Sequence, residues 1–173
     1  LFRSGQRNPI TAIVRRFSDR AEAEFIGEPR PQGIIGRLLS PGGGQVEHFD
    51  RFILPSIAQV EYRLGPRNHV VVTSTLTPIS DFETRLYAVA TFRTILPDRL
   101  LKAAAAPIGM AILEQDRRML RRQTETIRRF GGEQFVSTEV DLLGPHIWRL
   151  MRQAERGDPV DNEVFEQRVS LLA

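Results

Sequence analysis

Up to about residue 96 the chain alternates apolar and polar residues with a period of two, and beyond Pro97 the apolar residues recur every three to four. That change of period restricts the fold more than any other feature. A run of strands followed by a run of helices cannot build the alternating β–α–β units of a parallel sheet. The class expected is therefore α+β. Strand-like segments are "TAIVRRF" (11–17), "AEAEFIGE" (21–28), "VEHFDRFIL" (46–54), "SIAQVEYRL" (56–64), "HVVVTSTLT" (69–77) and "TRLYAVATFRTIL" (84–96). In the fourth, Ala58, Val60, Tyr62 and Leu64 share one face. Pro55 implies a bend or an edge. "EPRPQG" (28–33), "SPGGGQ" (40–45), "LGPRN" (64–68) and "PISDFE" (78–83) read as loops or turns, and residues 1–9 as a polar lead-in. Strands on short turns followed by a long helix suggest a curved antiparallel sheet gripping that helix around an apolar cavity.

Asp98 after Pro97 is the expected N-cap of the helix, "FGG" (130–132) its end, and Pro107 a kink or a split. A last helix is expected over 139–156, capped by Ser137 or Thr138 and closed by Gly157. A single domain over 1–157 would leave a charged, loosely packed tail over 158–173. Within the long helix one residue is misplaced. At roughly 100° per residue, Ile112, Leu113, Met119, Leu120, Gln123, Ile127 and Phe130 fall within about 60° of Asp116. Glu114, Arg117, Arg118, Arg121, Glu125, Arg128 and Arg129 fall on the opposite side. A carboxylate at the centre of an apolar face needs an arginine, a set of N–H donors or a metal, because burying it unpaired costs several kcal/mol or forces its protonation.

With 173 residues, 41% hydrophobic and 26% charged, the chain can bury one sizeable core. It has no cysteine, which excludes disulfides, thiolate-bound zinc and a cysteine-ligated cluster within these residues. That fits a reducing cytoplasm, the expected location. No apolar run is long enough to span a membrane; "AAAAPIGMAIL" (103–113) is short and interrupted by Pro107. The Arg-rich, acid-poor start has transit-peptide composition, but "TAIVRRF" reads as strand. "PGGGQ" lacks the lysine and following helix of a phosphate loop. His48, His69 and His146 fall in no HxxxH or HExxH spacing. The arginines at 117–129 have no interleaved aromatic residues, so they read as a solvated face with Glu114 and Glu125 as ion-pair partners, not as a nucleic-acid surface.

"ILEQDRRMLRRQ" (112–123), "STEVDLLGPHIWRLMRQAERG" (137–157) and the strand–turn–strand "VVVTSTLTPISDFETRLYAVATFR" (70–93) resemble the C-terminal part of the Rieske-type non-haem iron oxygenases. These are the large subunits of aromatic ring-hydroxylating dioxygenases and their monooxygenase and demethylase relatives. The resemblance spans roughly 45–157 and implies a helix-grip, START-like fold. It also implies that Asp116 is the carboxylate ligand of a mononuclear Fe(II) held by two histidines and one carboxylate, with open positions for dioxygen. Ile112, Leu113, Leu120 and Gln123 would then line the substrate pocket.

The family's D-x-x-H-x-x-x-x-H, C-x-H and C-x-x-H motifs do not occur in this sequence. With Leu1 in first place, the expectation is the C-terminal part of a longer oxygenase. The [2Fe–2S] cluster and the histidine ligands would lie in the absent N-terminal region, and the isolated chain would be inactive. Implied partners are an apolar or aromatic substrate, dioxygen, an electron-donating reductase or ferredoxin, and other copies of the chain in a homo-oligomer. The alternative is a non-catalytic helix-grip domain that binds an apolar small ligand, with Asp116 paired to an arginine such as Arg85 or Arg93. A weaker third reading is an interaction module that uses the arginine face.

Overall fold

The computed structural model describes residues 9–28, 46–94, 97–159 and 163–172. The lead-in over 1–8 and the glycine- and proline-rich loops at 29–33 and 40–45 lie outside the described residues. Two compact units are distinguished, Leu1–Thr94 with Ser137–Ala173, and Ile95–Val136.

The first unit is built on a curved, wholly antiparallel seven-stranded sheet. Its strands are β1 (Pro9–Arg16), β2 (Arg20–Ile26), β3 (Val46–Ile53), β4 (Ile57–Leu64), β5 (His69–Ser80), β6 (Glu83–Arg93) and β7 (Phe165–Leu172), in the order β6-β5-β4-β3-β2-β1-β7. Together with the long helix of the second unit this confirms the α+β class. The leading six strands pair in sequence order, with tight turns between β1 and β2, β3 and β4, β4 and β5, and β5 and β6, and Leu54–Pro55 is cis at the β3–β4 turn. Gly65 turns β4 into β5 at φ 79°, a left-handed conformation that suits glycine because it has no Cβ.

The register sorts side chains onto two faces, since directly opposed residues point the same way. One face carries Ile10, Ala12 and Val14 of β1, Ala21 and Ala23 of β2, Val46 and Phe52 of β3, and Leu64 of β4, all buried. Ala58, Val60, Tyr62 and Leu64 do share this face, as the alternation required. A helix, α2 (Gly144–Arg156), packs against β2, with Leu150 only 3% exposed.

The opposite face is an ionic lattice. Glu166, Arg15, Glu22, Arg51, Gln59 and Thr73 lie in one cross-strand row from β7 to β5. Arg15 donates to Glu166 and Glu24, each at 2.8 Å, and Arg51 to Glu22 at 3.1 Å. Gln59 passes the chain on to Thr73 at 3.2 Å.

The segment after Gly157, expected as a loose tail, instead forms β7 and pairs with β1 from Phe165 opposite Arg16 to Leu172 opposite Pro9. Its charges obscured a period-two pattern: Phe165, Gln167, Val169 and Leu171 take the apolar face, while Glu166 and Arg168 take the ionic one. The last helix also starts later than expected. Pro145 suits the first helical turn, where its missing N–H is not needed. Asp141, not Ser137 or Thr138, accepts the Gly144 N–H at 3.2 Å.

The second unit is dominated by α1 (Asp98–Phe130), 33 residues long. Pro107 does not split it. Pro97, in extended conformation, precedes the helix without a side-chain cap, and Asp98 is its first residue, an acid suited to the positive end of the dipole. Gly131, at φ 78°, closes it by donating to the Ile127 carbonyl. Glu114 pairs with Arg117 (2.7 Å) and Arg118 (3.0 Å), as a solvated face requires. Glu125 has no ion pair among the described residues. Since Pro107 removes one internal hydrogen bond, Pro107→Ala is expected to stabilise α1 by about 1–2 kcal/mol. Amide hydrogen exchange across 100–112 would register the gain as slower exchange. No helix among the described residues is long and apolar enough to cross a membrane.

Candidate functional site

Each unit presents a polar group amid apolar residues. In the sheet unit it is His48, paired in register with Phe25 of β2 on one side and Tyr62 of β4 on the other. Its ring stacks between theirs at centroid distances of 4.8 and 4.2 Å. Nδ1–H donates to Glu28 Oε2 at 2.8 Å and Nε2–H to Asp50 Oδ1 at 3.0 Å. Burial of this 8%-exposed residue would lower its pKa, but hydrogen bonds to Asp50 and Glu28 outweigh it and hold the imidazolium up to about 9. Burial and the same two carboxylates push the Tyr62 hydroxyl well above its ordinary range. The clamp is thus a fixed cation between two anions. Beside it on the same face runs a row of small side chains, Ala23, Val60, Val72 and Ala90, with Asp50 among them.

The sequence left the facing of His48 open. The signal that would have resolved it is the hairpin around Pro55: closing it puts His48 opposite Tyr62 and on the face of Phe52. Glu28 could not be found that way, because it joins the clamp from beyond the end of β2.

The other two histidines are not part of this group. His69 is half-exposed and donates Nε2–H to Glu61 on the ionic face at 2.8 Å. Glu61 also takes Arg63 at 2.7 Å and Arg51. Burial works to raise the Glu61 pKa, yet the hydrogen bonds from Arg51, Arg63 and His69 prevail and hold it down at about 2. His146 lies with its ring 5.0 Å from that of Phe165. Burial lowers its pKa, as do the positive charges of Arg16 and Arg149.

In the helical unit, Asp116 is exposed midway along α1, and no side chain of that unit's described residues forms an ion pair with it. Of its facial neighbours, Ile112 and Leu113 are half-buried, Leu120 is 61% exposed and Gln123 is exposed. Gln123 borders an open hollow of about 410 Å³ with Ile127, Phe130 and Phe135 at the C-terminal end of α1. Among the described residues no three histidine, cysteine, aspartate or glutamate side chains gather as a metal-binding group. These residues do not by themselves fit a complete mononuclear iron site; Asp116 offers one carboxylate and nothing beside it completes the set.

Comparison with curated proteins gives no match. A family model does match: that of the vanillate O-demethylase oxygenase C-terminal domain, over residues 18–157. The match runs from the β1–β2 turn through the last helix, including α1 and the position of Asp116. With most of its length covered, this chain belongs to the family of C-terminal domains of Rieske-type vanillate O-demethylase oxygenases.

Proposed function

We propose that the chain is the C-terminal part of the catalytic domain of a Rieske-type non-haem iron oxygenase, acting on an aromatic or similar apolar substrate. Asp116 is the carboxylate ligand of its Fe(II), and Ile112, Leu113, Leu120 and Gln123 form the face of α1 that meets substrate. The two histidine ligands and the [2Fe–2S] cluster come from outside these 173 residues, and electrons come from a reductase or ferredoxin. The observation that carries it is the family match across α1, joined to the position of a carboxylate at the centre of the one apolar side of that helix. Because the family is named for a vanillate O-demethylase, O-methylated aromatics are the first compounds to try as substrates.

Iron content tests the assignment. The 173-residue chain, reconstituted anaerobically with Fe(II), is expected to retain far less than one iron per chain. In a polypeptide that also supplies the histidine pair, Asp116→Ala is expected to weaken iron retention by at least about 100-fold, since even outer partners of metal ligands matter by 10–100-fold. Full iron occupancy in that variant would overturn the role of Asp116, and one-to-one iron in the 173-residue chain would overturn the incomplete ligand set.

A second reading, a non-catalytic domain binding an apolar small ligand, is favoured by the exposure of Asp116 and by the clamp of Glu28, His48 and Asp50 on the apolar sheet face. It requires that Asp116→Ala leave ligand binding unchanged, whereas the oxygenase reading requires loss of turnover.

A further inference from the structure

Across β2 to β6 the apolar face of the sheet carries two charged side chains, His48 and Asp50. One counter-anion is enough for one buried cation, and Glu28 supplies it at 2.8 Å. Asp50 is a second acid, so one cation and two anions leave the clamp with an excess of negative charge.

The clamp uses only half of Asp50. Oδ1 takes the His48 Nε2–H at 3.0 Å, and Oδ2 has no hydrogen-bond or ion-pair partner among the described residues. The Asp50 side chain is 34% exposed where that of His48 is 10%. A carboxylate oxygen with spare lone pairs at the centre of an apolar face loses its hydration whenever anything covers it. The cover is then costly unless it brings a donor.

The surroundings suit a flat apolar body. Towards β4 and β5 the neighbours of Asp50 are Val60 and Val72 in its own cross-strand row, and Ala58 and Ser74 in the next. These side chains are short, so the bed on that side is low. The stacked rings of Phe25, His48 and Tyr62 stand beside it as a higher wall. Every one of these residues belongs to the sheet unit.

We propose that Asp50 is the recognition residue for a small ligand on this face, an aromatic or similar apolar ring that carries a hydrogen-bond donor, hydroxyl or amine. The ring lies on the short side chains towards β5, and its donor meets Asp50 Oδ2. A carboxylate is disfavoured, since it brings no donor and meets an excess of negative charge. The proposal rests on the reading that the chain takes an apolar or aromatic small molecule. Among O-methylated aromatics it selects phenols and anilines over benzoates.

Four probes of similar shape separate these features: 2-methoxyphenol, 2-methoxyaniline, methoxybenzene and 2-methoxybenzoate. In calorimetric titrations of the iron-free chain near neutral pH, the phenol and the aniline are expected to bind at least about tenfold more tightly than methoxybenzene, the size of one hydrogen bond to a charged group. The benzoate is expected to bind more weakly still. Amide NMR signals of Asp50, Val60 and Val72 are expected to shift as the phenol is added. Asp50→Asn keeps an oxygen for His48 and sets an amide N–H group in place of Oδ2, so the order should reverse, with the benzoate ahead of the phenol. If Asp50 served only to hold His48, the order would not change. A phenol no tighter than methoxybenzene, a benzoate ahead in the unmodified chain, no reversal in the variant, or no binding of any probe at about 10 mM would each overturn the proposal. Should Asp50→Asn fail to fold, the order of the probes and the shifted signals in the unmodified chain still decide the matter. Because iron is absent from these titrations, their failure leaves the iron test of Asp116 untouched, and failure of that test leaves the order of the probes standing.

Discussion

Replacing His48 by alanine is expected to cost the sheet unit about 4 kcal/mol of stability at pH 6, from a cavity between two rings and two carboxylates left facing each other. His48→Phe should cost somewhat less, about 3 kcal/mol, because it keeps a ring in the stack between Phe25 and Tyr62 and loses only the charge. The pH dependence carries its own signature. His48 is held at about 9 in the folded chain against an ordinary 6.5. A raised pKa means that the folded state binds the proton more tightly, so this stabilisation, about 3 kcal/mol, is complete below pH 6.5 and is lost as pH rises through 9. Urea unfolding of the wild type at pH 6 and pH 10 should show the decline, and both variants should lack this part of it. A wild-type curve flat across that range would refute the clamp as a charged structure.

Glu61→Ala is expected to destabilise the same unit by about 3 kcal/mol near neutral pH. The carboxylate is 6% exposed and gathers Arg51, Arg63 and His69, so its removal strands several positive groups on one patch. Arg51 keeps Glu22 and Arg63 keeps Glu47, which limits the loss. Here the linkage has the opposite sign. The folded pKa of about 2 lies below the ordinary 4.5, so the stabilisation is present above pH 4.5 and disappears as pH falls through 2. Denaturation midpoints at pH 7 and pH 2.5 should converge in Glu61→Gln relative to the wild type. A loss below about 1 kcal/mol in Glu61→Ala would mean that the lattice behaves as ordinary exposed ion pairs. Together the two groups place maximum stability between pH 4.5 and 6.5, with the acid limb belonging to one face of the sheet and the alkaline limb to the other.

Much of the fold was legible because strand and helix periods are local properties. β2 to β6 stand where the alternation put them, within a few residues at their ends. β7 was obscured because Glu166 and Arg168 resemble solvated tail charges until Arg15 is known to stand beside them. The later start of α2 reflects competition between a weak Ser–Thr cap signal and the strong preference of Pro145 for a first turn. The candidate residues divide in the same way. Asp116 was singled out by helical spacing, since a few residues define a face, and its role as an iron ligand came only with the resemblance. Neither the His48 clamp nor the cradle of Arg51, Arg63 and His69 around Glu61 could be found so, since each joins side chains from three or more segments.

What the sequence alone determined is the class of the fold, its strands up to β6, the one long helix and the place of a single carboxylate on that helix. These follow from backbone periodicity and from steric preferences acting over a few residues. Only the tertiary structure decided that the chain's end completes the sheet and that His48 is a buried cation between two anions. Strand register decides both, and register is set by the packing and pairing of distant segments, which no window of neighbouring residues contains.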